Sequence, residues 1–170
     1  MAILLGFFLL STIVSFLCSI WEAVLLSVNP SYIKRQEKEA PSTGKLLSEL
    51  KKDIDKPLSA ILTLNTIAHT VGAIGVGAQA GKLYGTEEIS LLGFGITYET
   101  IIATLMTLGI LFLSEIIPKT IGANNWQNLA PITARALKVL MFILRPFVWL
   151  SYQLTRMMKD LKLQYFRKTF

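Results

Sequence analysis

The sequence has few charged residues, a single cysteine and a single histidine, and each scarcity excludes a class of protein. Only 16% of its 170 residues are charged, whereas a soluble domain usually carries about 25%, so a water-soluble enzyme is not expected. Cys18 cannot form an internal disulfide, and no second cysteine or clustered histidine accompanies it to make a soft-metal site. We therefore expect Cys18 to be a packing residue.

Three long apolar segments indicate an integral membrane protein. Residues 1–21 carry no charge, and about 20 apolar residues suffice to cross a bilayer. This first segment lacks the basic start of a secretory signal, so we expect it to remain in the mature protein. We predict membrane spans at about 3–27, 57–81 and 97–118. The predicted fold class is an all-α integral membrane protein with three transmembrane helices.

The remainder of the chain predicts helices and loops outside the spans. Bases and prolines interrupt the apolar sequence after Lys119, so we predict an interfacial helical belt at about 129–152, anchored by Trp149 and Tyr152. A basic cytosolic tail is predicted at 153–170. The charged stretch 34–56 is typical of two short surface helices. Residues 84–90 are expected to form a short external loop.

The positions of the basic residues predict the orientation in the membrane. Seven bases lie in the first connecting loop, one in the second and nine from Lys119 onward. Because positive residues favour the cytoplasmic side, we expect the first loop and the C-terminus inside a cell membrane and the N-terminus outside. The net charge of +6 then indicates contact with anionic lipid head groups, and nucleic acid is not a predicted partner.

Polar residues within the spans are the candidates for function, because a charge at the centre of a span costs about 2.5 to 3.5 kcal/mol. Ser15 and Ser19 are four residues apart on one helical face, and Glu22 follows on nearly the same face. For each serine, the alternative is a local bond to a preceding carbonyl. For Glu22, the alternative is an interfacial acid paired with a base.

The second span contains an amide in its middle. Asn65 must either hydrogen-bond across helices or ligate something. His69 lies one turn later on the same face. We interpret His69 as a packing neighbour, since no second histidine supports a transition-metal site.

The end of the third span combines a serine, a carboxylate and a proline. Pro118 has no N–H, so the carbonyl of Ser114 loses its usual partner, and Ser114 offers oxygens from both side chain and backbone. One interpretation is a broken helix that lines an ion cavity beside Glu115. The other is a proline that simply stops the helix, with Glu115 an interfacial acid paired with a base. Oxygen ligands with one or two carboxylates suit Mg²⁺ better than Zn²⁺ or Cu²⁺.

These motifs resemble the membrane domain shared by the CNNM (cyclin M) proteins and the bacterial CorC magnesium transporters. The resemblance rests on residues 15–27 of the first span, on Asn65, and on the run from Ser114 to Thr120. It implies a homodimer in which each chain has three spans and a juxtamembrane helical belt. It also implies that the protein exports Mg²⁺ in exchange for Na⁺.

The resemblance further implies roles for individual residues. A Mg²⁺ ion without its water shell would be held by Ser15, Ser19, Asn65 and Glu115. Structural or gating roles are implied for Glu22, Pro118 and Lys119. Family members usually continue into a cytosolic pair of CBS domains, which are expected in the full-length protein but not within these residues, so nucleotide regulation is not predicted for them.

A second function is open from the sequence. The chain would then be a membrane anchor that senses Mg²⁺ for a cytosolic partner and carries no flux. An intramembrane enzyme is not predicted, because His69 is the only histidine and Asp160 the only acid after Glu115.

Overall fold

The computed structural model describes residues 1–84, 88–91, 94–150 and 153. Its elements in chain order are α1 (Ala2–Ser27), α2 (Pro30–Glu39), α3 (Pro41–Lys52), α4 (Asp55–Tyr84), β1 (Glu88–Leu91), β2 (Phe94–Thr97), α5 (Tyr98–Leu111), a π-helical segment (Phe112–Ile116), α6 (Ile117–Asn124) and α7 (Trp126–Ile143). Residues 145–150 are also helical.

Among the described residues, three helical stretches are long and apolar enough to cross a membrane. They are Ala2–Ser27, Asp55–Leu83 and Thr100–Asn124, with 26, 29 and 25 residues. At about 1.5 Å of rise per residue, each exceeds the roughly 30 Å of a bilayer's hydrocarbon core. This confirms the predicted fold class, an all-α membrane protein with three transmembrane helices.

The chain divides into two compact units. Unit 1 comprises Met1–Ala23 and Leu64–Asn125, and unit 2 comprises Val24–Thr63 and Trp126–Phe170. Helices α1 and α4 therefore contribute one segment to each unit.

Glycines allow close helix packing within unit 1. A Cβ atom at Gly72 of α4 would collide with the side chain of Ser11 on α1. A Cβ atom at Gly122 of α6 would lie 2.9 Å from the carbonyl oxygen of Ile20. These close approaches are typical of membrane helices that pack through small residues. One buried hydrophobic cluster of this unit comprises Leu4, Val76 and Ala80, against which Phe7, Phe8, Ile102 and Met106 pack.

The third span is not a regular α-helix. The backbone N–H of Ile117 bonds to the carbonyl of Phe112, five residues back, and this marks the π-helical segment. Pro118 lies in the first turn of α6, directly after the π-helical segment. Because the helix continues to Asn124, the interpretation of Pro118 as a simple helix stop is wrong. Segments of this kind occur frequently at functional sites.

In unit 2, α2 and α3 pack on each other and α3 packs on α7. This confirms the two short helices predicted at 34–56. The side chain of Asn29 caps α2 by accepting a hydrogen bond from the Tyr32 backbone N–H at 2.9 Å. The Tyr32 hydroxyl in turn donates to the carbonyl of Gln127 at 2.7 Å, and its ring meets Trp126 edge-on at 5.0 Å. These contacts fix α2 against the start of α7.

Helix α7 has one buried face and one exposed apolar face. Its buried residues are Ala130, Thr133, Ala134, Leu137 and Leu140. Its exposed apolar residues include Ile132, Val139, Phe142 and Ile143. Such a helix is typical of a membrane interface, and its interfacial position stays a prediction. Of the predicted tail at 153–170, all but Gln153 lies outside the described residues.

The connection between the second and third spans differs from the prediction. Helix α4 extends to Tyr84, and β1 and β2 pair as an antiparallel hairpin in which Glu88 is opposite Thr97. The predicted loop at 84–90 is therefore wrong where the structure describes it. Ile89 pairs with Ile96 across the two strands, and β-branched residues favour extended structure.

Candidate metal site

Three elements of unit 1 supply the polar side chains of the candidate site. Helix α1 provides two serines, α4 an asparagine and a histidine, and the π-helical segment a serine and a glutamate. In chain order they are Ser15, Ser19, Asn65, His69, Ser114 and Glu115. All the residues predicted as ligands thus lie in one unit.

The two serines of α1 are buried, and they differ in their partners. Ser15 is 0% exposed, and its Oγ lies 2.6 Å from Nε2 of His69. Ser19 is 1% exposed, and its Oγ has no hydrogen-bond partner among the described residues. The alternative of a local carbonyl bond is therefore not met at Ser19, although Ser11 on the same helix does donate to Phe8 at 3.0 Å. A buried hydroxyl without a partner costs about 1 to 3 kcal/mol.

The asparagine of α4 bonds across helices and still has an oxygen to offer. Its Nδ2 donates to Oε1 of Glu115 at 3.3 Å. Asn65 Oδ1 is buried and has no hydrogen-bond partner within the described part of the chain. Asn65 therefore orients the carboxylate with one end of its amide and presents an unused acceptor with the other.

Ser114 lies beside the carboxylate in the π-helical segment. It is 0% exposed, and its Oγ donates to the carbonyl of Ile110 at 2.6 Å. Since a hydroxyl has one donor hydrogen and two acceptor lone pairs, this bond leaves the oxygen able to accept or to ligate.

His69 belongs to the same cluster, although the sequence alone did not assign it to the ion site. Its Nε2 lies 3.7 Å from Oε1 of Glu115, in addition to the contact with Ser15. Either the serine or the imidazole donates in that contact, depending on the tautomer. The signal in the sequence was its position one turn after Asn65 on the same face of α4. A single histidine nevertheless gave no reason to assign more than packing.

The second membrane carboxylate has a different environment. Oε2 of Glu22 lies 3.2 Å from Nζ of Lys119, so the interpretation of Glu22 as an acid paired with a base is confirmed. Glu115 has no lysine or arginine within 4 Å among the described residues, where its partners are the amide of Asn65 and the imidazole of His69. Of the two carboxylates, Glu115 is therefore the one without a fixed cationic partner.

The donor set favours a hard cation. It consists of hydroxyls, one amide oxygen and one carboxylate, with a single imidazole nitrogen. Within the described residues, no group of three or more His, Cys, Asp or Glu side chains forms a metal cage. Oxygen donors of this kind suit Mg²⁺ or Ca²⁺, whereas Zn²⁺ and Cu²⁺ prefer nitrogen and sulfur.

Comparisons with known proteins agree with this interpretation of the membrane helices. A family profile described as the cyclin M transmembrane N-terminal domain matches residues 5–164. The UPF0053 protein sll1254 of Synechocystis sp. is 30% identical over 139 residues, which are 82% of this chain and 37% of that protein.

Two further relatives are more distant. The UPF0053 inner membrane protein YfjD of Escherichia coli is 26% identical over 81% of this chain and 30% of its own length. A chloroplastic DUF21 domain-containing protein of Arabidopsis thaliana is 26% identical over 75% of this chain and 18% of its own length. The chain thus spans well under half the length of the curated relatives that it matches.

Proposed function

Because this chain belongs to the cyclin M family of multi-pass membrane domains, we propose that it is the ion-conducting membrane domain of a magnesium exporter. The family is generally linked to the transport of Mg²⁺ and other divalent cations. In this proposal, a dehydrated Mg²⁺ ion binds inside the membrane to oxygens of Ser15, Ser19, Asn65, Ser114 and Glu115. No enzymatic activity is proposed.

The observation that supports this proposal most is the pair of buried oxygens without partners. Ser19 Oγ and Asn65 Oδ1 have no hydrogen bond among the described residues, and Asn65 is itself bonded to the carboxylate of Glu115. A native fold rarely leaves such atoms unpaired unless they have a role. A cation that loses its hydration shell needs replacement oxygens of this kind.

The candidate site has a single carboxylate, which suits an ion that must both bind and leave. Glu115 supplies one negative charge, so the neutral oxygens must replace much of the water around a dication. Mg²⁺ dehydrates reluctantly and is usually bound with several waters, which explains why a protein-lined site would need several donors. One carboxylate also suits Na⁺, and we propose that Na⁺ occupies it in exchange for Mg²⁺.

His69 adds a step that the other donors do not require. Its Nε2 contacts Ser15 at 2.6 Å and lies 3.7 Å from Glu115. We propose that the imidazole moves away from one or both of these oxygens when Mg²⁺ binds. In this proposal, His69 bridges the ligands when the ion is absent and swings aside when the ion enters.

The proposal also covers the membrane, the orientation and the assembly of the domain. We place it in a cell membrane, inner or plasma, with the N-terminus outside and the C-terminus in the cytoplasm. A homodimer and a cytosolic pair of CBS domains in the full-length protein are part of the same proposal. The second candidate function is a Mg²⁺-sensing anchor for a cytosolic partner, and it shares the ion site but has no flux.

Ion flux distinguishes the two functions. The purified chain is reconstituted in liposomes that contain a Mg²⁺-sensitive dye, and Mg²⁺ movement is followed with and without a Na⁺ gradient. The exporter proposal predicts flux that depends on the Na⁺ gradient and disappears in Glu115→Gln. Calorimetric Mg²⁺ binding without flux in the parent chain would favour the sensing anchor, and neither binding nor flux would contradict both.

A further inference from the structure

Unit 2 contains a basic groove that the proposed ion site does not use. The groove has a volume of about 540 Å³ and lies between α3 and the middle of α7. Its basic lining residues are Lys45, Arg135 and Lys138, with Glu49 as its single acid. The lining is therefore net positive.

The three basic side chains have no fixed anionic partner in the part of the chain that the structure describes. Within the described residues, none of them lies within 4 Å of a carboxylate oxygen; the ion pairs there involve Arg35, Lys56, His69 and Lys119 instead. Three like charges that converge on one groove repel each other, and an anion bound there would relieve the repulsion.

A threonine in the same groove has a hydroxyl without a hydrogen-bond partner among the described residues. Thr43 lines the groove in the first turn of α3 and is only 9% exposed. Its hydroxyl forms no hydrogen bond in the described part of the chain, while its backbone N–H bonds to Ala40 at 3.0 Å. The first turn of a helix also carries partial positive charge, which favours an anion nearby. A hydroxyl donor, a helix start and three cations are together the chemistry that recognises a phosphate group.

The surroundings of the groove are apolar. Val139 lines it, and Ile132, Phe142 and Ile143 of α7 are exposed. An interfacial helix of this kind places its apolar side chains among acyl chains and its bases near the head groups. A phospholipid offers both contacts at once, whereas a soluble phosphate ester offers only the phosphate.

We infer that this groove is a binding site for a phosphate group, supplied by an anionic phospholipid or by a soluble phosphate ester. Lys45, Arg135 and Lys138 neutralise the phosphate, and the Thr43 hydroxyl donates to one of its oxygens. The inference is independent of the Mg²⁺ proposal, because every residue that it uses belongs to unit 2.

The test uses the delipidated, detergent-purified chain. Phosphatidylglycerol or phosphatidylcholine is added, and the fraction of chains with one bound lipid is measured by native mass spectrometry. Inorganic phosphate and glycerol 3-phosphate are titrated separately by calorimetry. The test variant combines Lys45→Gln, Arg135→Gln and Lys138→Gln. The matched control removes three exposed bases of the same unit outside the groove with Lys34→Gln, Lys38→Gln and Lys52→Gln.

We expect phosphatidylglycerol to bind the parent and the control equally, and the groove variant on the order of 100-fold more weakly, from about fivefold per basic residue. Thr43→Val, which keeps the shape of the side chain, is expected to weaken binding about fivefold. Preference for the lipid over glycerol 3-phosphate assigns the site to a phospholipid. Equal binding of glycerol 3-phosphate, lost in the same variant, assigns it to a soluble ester.

Two results would overturn the inference. One is the absence of binding of any of these ligands to the parent chain. The other is equal weakening in the groove variant and the control, which would show that only net charge matters. Thr43→Val keeps the test decisive if the triple variant does not fold, since it leaves all three cations in place.

Discussion

Two polar groups that hold the fold of unit 2 together and two polar groups of the candidate ion site in unit 1 differ in their partners. In unit 2, the Tyr32 hydroxyl donates to Gln127 and the Lys51 ammonium donates to Leu25 at 3.1 Å. In unit 1, by contrast, the buried oxygens of Ser19 and Asn65 have no partner among the described residues. Satisfied groups contribute to stability, whereas unsatisfied ones cost it. This difference supports the proposal that Ser19 and Asn65 serve binding, whereas Tyr32 and Lys51 serve the fold.

Replacing the carboxylate of unit 1 should have the largest effect. Glu115→Gln keeps the shape of the side chain and removes its charge, so we expect Mg²⁺ affinity to fall on the order of 100-fold, as for the loss of a charged contact. Calorimetry on the purified chain measures this. The matched control is Glu22→Gln, which removes a carboxylate that is paired with Lys119. Equal losses in both variants would contradict the assignment of Glu115 as the ligand.

Removing an unpartnered hydroxyl should separate binding from stability. We expect Ser19→Ala to bind Mg²⁺ about tenfold more weakly and, without the ion, to unfold at the same or a higher temperature, because no hydrogen bond is lost. Ser11→Ala is the matched control on the same helix, since its hydroxyl donates to Phe8. A large loss of stability in Ser19→Ala, with Mg²⁺ affinity unchanged, would assign Ser19 to packing.

For a hydrogen-bonded hydroxyl in unit 2, we expect its removal to lower stability and to leave Mg²⁺ affinity unchanged. Tyr32→Phe removes the hydrogen bond to Gln127 and leaves its carbonyl without this donor. We expect the free energy of unfolding to fall by about 1 kcal/mol, with Mg²⁺ affinity unchanged. Thermal unfolding in detergent and calorimetry measure the two quantities. A change in Mg²⁺ affinity would remove the functional distinction between the units.

The smallest effect should be a dependence of stability on pH. Burial lowers the pKa of Lys51, while an unfolded lysine keeps a pKa of about 10.4. Between the two values, the unfolded chain binds more protons than the folded chain, so stability rises with pH in that window. Thermal unfolding between about pH 8 and 10 should therefore show a steeper rise for the parent than for Lys51→Met. Equal slopes would show that Lys51 titrates alike in both states.

The spans were predictable from the sequence because their signal is local. Long apolar runs between charged loops determine where helices can cross a bilayer, and the structure confirms three such helices. The hairpin was not predicted, because the two acids before Ile89 are typical of a loop and the β-branched residues of the strands were given less weight. The π-helical segment was also missed, since Pro118 predicts a break and gives no indication that the helix will continue with a shifted hydrogen bond.

The candidate site was predictable residue by residue but not as a geometry. Costly polar groups in apolar spans made Ser15, Ser19, Glu22, Asn65 and Glu115 candidates. The resemblance to the CNNM and CorC proteins then implied Ser15, Ser19, Asn65 and Glu115 as the ligands. The contact of His69 with Ser15 depends on how α1 and α4 pack, which no local pattern encodes. The basic groove of unit 2 could not be predicted for the same reason, since Lys45 and Arg135 belong to helices that are far apart in the chain.

The most direct test of the ion site is a structure of this chain with Mn²⁺, which scatters anomalously and accepts the same oxygen ligands as Mg²⁺. We expect an anomalous peak in unit 1, in direct contact with oxygens of Ser15, Ser19, Asn65, Ser114 and Glu115, with the imidazole of His69 displaced. A peak elsewhere, or an ion that keeps its water shell and contacts none of these oxygens, would contradict it.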